Sequence, residues 1–275
     1  MTETNTLIIE AGRVERQYWR DLWRYRELFA FFAWRDLLVR YKQTVVGVSW
    51  SLIRPLLTVG VLTIVFGRLG KMPANGIPYP LLVLCGMLPW QFFSMAMAES
   101  GNSLVSNSNM ISKVYFPRLV MTVSTVITSL VDFLISSAFL VVLMIWYRYP
   151  PPAAVLLLPF FVLLVFCASL GVGTWIAALM VEYRDFRFIV PFIVQFGLYI
   201  SPVGFQSSIV PERFRLLYSL NPMVGIIDGF RWCLLGNFRG IYWPSIYIAV
   251  LEVVVILVSG IWYFRKTERT FADVI

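Results

Sequence analysis

Apolar positions in this sequence come in long blocks, not in the short alternations of a soluble domain. Six blocks approach or exceed the roughly 20 apolar residues that a helix needs to cross a bilayer. They are residues 52–70, 80–98, 119–147, 153–181, 187–205 and 243–264. The third and fourth are longer than required, which predicts tilt or projection beyond the bilayer. Pro159 and Pro191 fall inside their blocks and are expected to kink them. Pro55 and Pro80 fall near span starts, where a missing N–H costs little.

Two segments outside the blocks also carry a pattern. Ahead of the first, RQYWRDLWRYRELFAFFAWRDLLVRYKQ sets Trp19, Leu22, Trp23, Trp34, Leu37, Leu38 and Tyr41 at helical spacing. Arg20, Arg24, Asp36 and Arg40 stand between them, so residues 15–50 read as amphipathic helix in the membrane interface. The bland role is an anchor. A richer one adds recognition of an anionic head group by Arg24, Arg26, Arg35, Arg40 and Lys42. In the connection 206–242, Asn221 and Pro222 form a helix start, MVGIIDGFRWCLL follows, and Gly236 is a stop. About 14 helical residues cannot cross a bilayer and suit a re-entrant or interfacial helix. A second short helix is expected in PERFRLLYSL, from Pro211. The predicted fold is one all-α integral membrane domain over 1–275: six spans, an N-terminal interface helix, and two short helices between spans five and six.

Composition agrees. The chain is 59% hydrophobic and 14% charged, against roughly 25% charged in soluble domains, so lipid must cover part of it. The formal charge of +8 would suit nucleic acid, but the basic residues gather at the ends and short loops, which argues against that partner. An even number of spans puts both termini on one side. That side holds 16 of the 23 Lys and Arg residues, which makes the termini cytoplasmic. With no histidine, histidine triads, histidine zinc sites and phospho-histidine chemistry are excluded. Cys85, Cys167 and Cys233 sit apart in apolar runs and read as packing residues. GRLGKM at 67–72 lacks phosphate-loop spacing, and GVG at 171–173 lies within a span. No catalytic residue, metal ligand or cofactor site is expected in the chain itself.

Thr122, Thr125, Ser129, Asp132 and Ser136 share one face of the third span. A mid-bilayer carboxylate is costly, so Asp132 must face protein or water. It belongs either to a pore or proton-relay face or to a small-residue packing seam with one hydrogen-bonded aspartate. Glu252 poses the same question, and Glu99 and Glu182 sit near cytoplasmic span ends, where solvation or a partner such as Arg184 accounts for them. Trp90, Phe93, Phe196 and Tyr199 are aromatic candidates for lining a sugar path or for packing.

Three stretches together resemble the permease of an ABC-2 type polysaccharide exporter of the O-antigen and lipopolysaccharide export group. They are RYKQTVVGVSWSLIRPLL (40–57), GMLPWQFFSMAMAESGNSLVSNSNMISKVYFPR (86–118) and LNPMVGIIDGFRW (220–232). The resemblance implies a homodimer and two copies of a separate cytoplasmic ABC ATPase that binds ATP and Mg. It makes 100–118 a cytoplasmic coupling loop, with Asn109, Met110, Ile111, Lys113, Val114 and Tyr115 meeting the ATPase. It places Arg40–Arg54 beside a lipid portal, so that Arg24, Arg40, Lys42 and Arg54 would meet a lipid-linked pyrophosphate. The helices within 206–242 would be periplasmic gate helices, with Asn221, Pro222, Asp228 and Arg231 as candidate gate residues. The implied function is export of undecaprenyl-pyrophosphate-linked O-antigen polysaccharide across the bacterial inner membrane. Capsule or teichoic-acid export is the close alternative, and a proton-coupled secondary transporter using Asp132 and Glu252 is the alternative from another class.

Overall fold

The computed structural model describes residues 15–42, 47–111, 113–114, 116–236, 241–268 and 271, and everything below concerns those residues. It is all-helical among them. The chain opens with α1 (Glu15–Arg24) and α2 (Arg26–Tyr41), then α3 (Gly47–Leu62), whose end loosens into π-helical turns over Thr63–Leu69. The bundle follows: α4 (Tyr79–Ser106), a single turn α5 (Ser108–Ile111), α6 (Leu119–Trp146), α7 (Leu158–Glu182) and α8 (Phe186–Ile200). After α8 come the short α9 (Glu212–Tyr218) and α10 (Pro222–Leu235), then α11 (Trp243–Thr267).

Helix α4 is the centre. Ten consecutive residues, Leu81 to Trp90, are buried, so neighbours enclose this helix on all sides. Helices α6, α7 and α10 pack on it, and α11 closes against α7 and α10. Outer faces of α6 and α11 are instead apolar and exposed, as Leu134, Val141 and Ile145, or Leu251, Val255 and Val258, show. Apolar surface turned outward on a helix that could cross the bilayer belongs against lipid. Four segments have the length and apolarity to cross: Tyr79–Ser106, Leu119–Trp146, Ala153–Glu182 and Trp243–Thr267.

The first and fifth expected spans come out short. Pro55–Leu69 and Phe186–Ile200 are apolar but below crossing length; 15 residues rise only about 22 Å. Ser201, whose N–H still bonds to the Gly197 carbonyl, then turns extended and ends α8 before residue 205. Two proline readings also change. Pro159 stands in the first turn of α7, where its missing N–H is harmless, so it kinks nothing. Pro55 lies inside α3. The stretch 100–106, placed in the coupling loop by the resemblance, continues α4 instead, with Ser100, Gly101, Ser103 and Leu104 buried. Small side chains allow that close packing: a Cβ on Gly101 would meet Ile176 and Met180 of α7.

Small residues set the remaining crossings. Gly171 and Gly260 bring α7 and α11 together so closely that a Cβ on Gly260 would stand 2.4 Å from the Gly171 carbonyl oxygen. Backbone cannot yield as a flexible side chain can. Gly260→Ala is therefore expected to destabilise the bundle by about 1–3 kcal/mol, read as a lower Tm in detergent. An unchanged Tm would show that the two helices part at no cost.

Candidate functional site

Three polar constructions interrupt the apolar bundle, and most of the sequence-predicted residues fall in them. The first joins α2 to the bundle. Its inward face buries Phe32 and Ala33, while Phe31, Trp34, Leu38 and Val39 point out. At its end the Arg40 guanidinium forks, one nitrogen donating to Asp132 of α6 and the other to Glu99 of α4. The Tyr41 hydroxyl donates to the second Asp132 oxygen. Burial works against the Arg40 charge, but the two carboxylates outweigh it and hold its pKa above the ordinary value. Asp132 is thus a hydrogen-bonded aspartate tying down a helix. It also borders a small cleft with Gln91, Ser129 and Ser136.

Of the candidates for a lipid phosphate, Arg40 is committed to these carboxylates. Arg35 pairs with its neighbour Asp36 and covers the Phe32 ring, and Arg26 lies over Trp23. Arg35 and Lys42 do share a groove with Phe31, Trp34 and Leu38. Arg24 is exposed at the end of α1. The Arg54 side chain lies outside the described residues.

The second construction holds the short helices. Asn221 caps α10: its side-chain oxygen accepts from Met223 N at 3.1 Å, and its amide donates to Ser201 Oγ at 3.0 Å. Pro222 occupies the first turn. Gly236 ends the helix at φ 64°, a region glycine enters freely. Arg231 is wholly buried and donates to three backbone carbonyls: Leu82 at 3.2 Å, Phe205 at 2.7 Å and Val203 at 2.8 Å. The Val203 and Phe205 carbonyls belong to the irregular chain after α8 and the Leu82 carbonyl to α4, so one guanidinium serves the irregular chain and pins it to α4. Asp228, one turn away, accepts from Ser207 Oγ. Trp90 and Phe93 pack inside, Trp90 against Gly197 of α8, whereas Phe196 and Tyr199 are exposed on α8. The four aromatics therefore line no common path in the single chain.

The third construction is the connection between α4 and α6. Asn109, Lys113 and Val114 are exposed and Met110 is half-buried. Ile111, expected to face a partner, turns inward instead. It joins Phe116, Leu104, Leu119, Phe32 of α2 and Phe264 of α11 in a small core at this end of the bundle. The single turn of α5 leaves one apolar side chain no outward option. Tyr115 lies outside the described residues.

Sequence reasoning missed Ser207, Glu268 and the Ile111 core, and it named Glu99 and Tyr41 without their partner Arg40 or Asp132.

Comparison with known proteins decides the family. Residues 27–235 match the ABC-2 type transporter family. The chain belongs to that family. This ABC-2 protein is similar along nearly its whole length to curated relatives. One, the O-antigen export system permease protein RfbA of Myxococcus xanthus, is 29% identical over 252 residues, covering 90% of this chain and 96% of the relative. Its namesake in Klebsiella pneumoniae is 26% identical over 242 residues, covering 88% and 92%. The polysialic acid transport protein KpsM of Escherichia coli is 21% identical over 240 residues, covering 86% and 91%. The match takes in α2, the connection after α4, and α10.

Removing Arg40 would leave two carboxylates facing each other at the edge of an apolar bundle. Arg40→Ala is expected to cost about 3 kcal/mol, and adding Asp132→Asn and Glu99→Gln should recover part of that. Thermal unfolding in nanodiscs measures both. Equal stability of native chain and Arg40→Ala would mean that α2 is not held by this ion network.

Proposed function

We propose that this ABC-2 protein is the membrane permease of an exporter of lipid-linked polysaccharide, driven by a separate ATPase that binds ATP and Mg. The exposed turn at Asn109, Lys113 and Val114 carries the reading. It is the polar tip of the connection between two long spans, braced from behind by Ile111 and Phe116. A turn that is rigid behind and exposed in front suits transmission of force from a docked subunit.

In this reading Pro55–Leu69, lengthened by the helix that leads into it from Gly47, and Phe186–Ile200, lengthened by the Arg231-bonded chain that follows it, complete six spans, and α9 and α10 return from the periplasmic side. Both termini and the tip are cytoplasmic, because the basic residues concentrate there. The location is the bacterial inner membrane. A homodimer would cover the exposed apolar face of α8, where the Phe192 and Phe196 rings lie 4.2 Å apart, tilted to each other, and stay open to the surroundings. Arg24, Lys42 and Arg54 remain the candidates for the lipid pyrophosphate; Arg40 would leave its carboxylates only at a cost. The relatives' names favour O-antigen as cargo, with capsular polymer the second choice. Proton coupling draws less support, since Asp132 already holds Arg40 and Tyr41.

Co-purification of this chain with the ATPase encoded beside it, in nanodiscs, tests the docking. Lys113→Glu with Val114→Ser should weaken assembly about tenfold or more, as loss of a central contact does, and leave the Tm unchanged. Undiminished assembly would remove the tip from the interface.

A further inference from the structure

The connection after α4 does not end at its tip. Arg118, which closes it, is bound to the far end of the chain. Its backbone N–H donates to Glu268 Oε1 at 2.8 Å, and its guanidinium donates to the Glu268 carbonyl oxygen. The same guanidinium lies over the ring of Phe271 at 5.8 Å, and Phe271 packs on Phe264 at 5.4 Å. One turn earlier on α11, Arg265 covers the rings of Tyr18 and Trp19 at 4.6 and 5.7 Å. Both rings belong to α1. Phe32 of α2 meets Phe116 of the connection at 5.7 Å.

Apart from Phe271 on Phe264, every contact in this set crosses between segments remote in sequence: the connection, the end of α11, and the amphipathic pair α1–α2. Glu268 sits at their meeting point. Burial, opposed by the bond from Arg118, pushes its carboxyl above the ordinary carboxylate range. Burial, reinforced by Glu268, also raises the Tyr18 hydroxyl, which completes no hydrogen bond of good geometry. A buried, charged, multiply bonded joint of this kind does not flex independently of what it joins.

We propose that Arg118 and Glu268 are positioning residues that make the connection after α4, the end of α11 and the helices α1–α2 move as one unit. Displacement of the tip is thereby delivered to the amphipathic helices at the membrane surface. The α2 end of that unit carries Arg40, so the motion reaches the Glu99–Asp132 network as well. The inference rests on the reading of the tip as the ATPase contact.

The test uses the full complex in nanodiscs, with the three native cysteines replaced by alanine and a fluorophore on Arg20→Cys, an exposed site on α1. The native joint should give a change in label signal when a non-hydrolysable ATP analogue is added. Glu268→Ala should keep the ATPase bound but shrink that change about fivefold. Glu268→Gln, which keeps the acceptor for the Arg118 N–H, should largely restore it, a rescue that loss of folding would not show. If Glu268→Ala does not assemble, Arg118→Ala carries the test, since it retains the backbone bond and loses only the guanidinium contacts. A full-sized change in Glu268→Ala would overturn the proposal, as would no change in the native complex that still hydrolyses ATP. Failure of the ATPase to bind the native chain would instead overturn the functional reading beneath it.

Discussion

A carboxylate in the middle of an apolar helix cannot stay unless something charged comes to it, and much of this structure is arranged around that demand. Asp132 of α6 and Glu99 of α4 are answered by one guanidinium, Arg40, which arrives on a helix outside the bundle. The pairing fixes α2 across two of the longest helices. Once α2 is fixed, Phe32 must lie inward beside Phe116, and the small core beneath the α4–α6 connection closes. The amphipathic helix α2 is therefore part of the fold and not a loose anchor.

At the other end, Arg231 does comparable work with opposite logic. Among the described residues it makes no ion pair; it donates to the carbonyl oxygen of Leu82 in α4 and to those of Val203 and Phe205, in backbone that has left helical geometry. Irregular chain between helices in an apolar setting has to find donors for such carbonyls, and a buried guanidinium supplies several from one side chain. The close approach of Gly86, where a Cβ would stand 2.7 Å from an Arg231 nitrogen, shows that the space was left for it. The two arginines thus hold opposite ends: Arg40 serves side chains, Arg231 serves main chain.

Much of this was legible in the sequence wherever local signals decide the outcome. Long apolar blocks gave the positions of the major helices, and Asn221, Pro222 and Gly236 gave both ends of α10 through capping chemistry. Spacing alone put Thr122, Thr125, Ser129, Asp132 and Ser136 on one face. What could not be read were pairings across the chain. Arg40 and Asp132 stand 92 positions apart, and nothing near either marks the other. Charge pattern made Arg40 a head-group ligand; geometry gives it two carboxylates. The resemblance made Ile111 an apolar contact for the ATPase, yet a one-turn helix faces it inward. Pro159 looked like a kink because composition does not mark where within an apolar block the helix begins. The resemblance placed residues 100–106 in the coupling loop, but their small polar side chains serve as a close-packing surface that continues α4.

We propose that an ATPase acting on the tip of the α4–α6 connection drives polymer through this membrane protein. Inverted membrane vesicles containing the chain and a co-expressed ABC ATPase, supplied with radiolabelled lipid-linked polysaccharide, measure that directly. Uptake into the lumen should require ATP and both proteins and survive collapse of the proton gradient. Uptake that proceeds without the ATPase and vanishes with the gradient would contradict it.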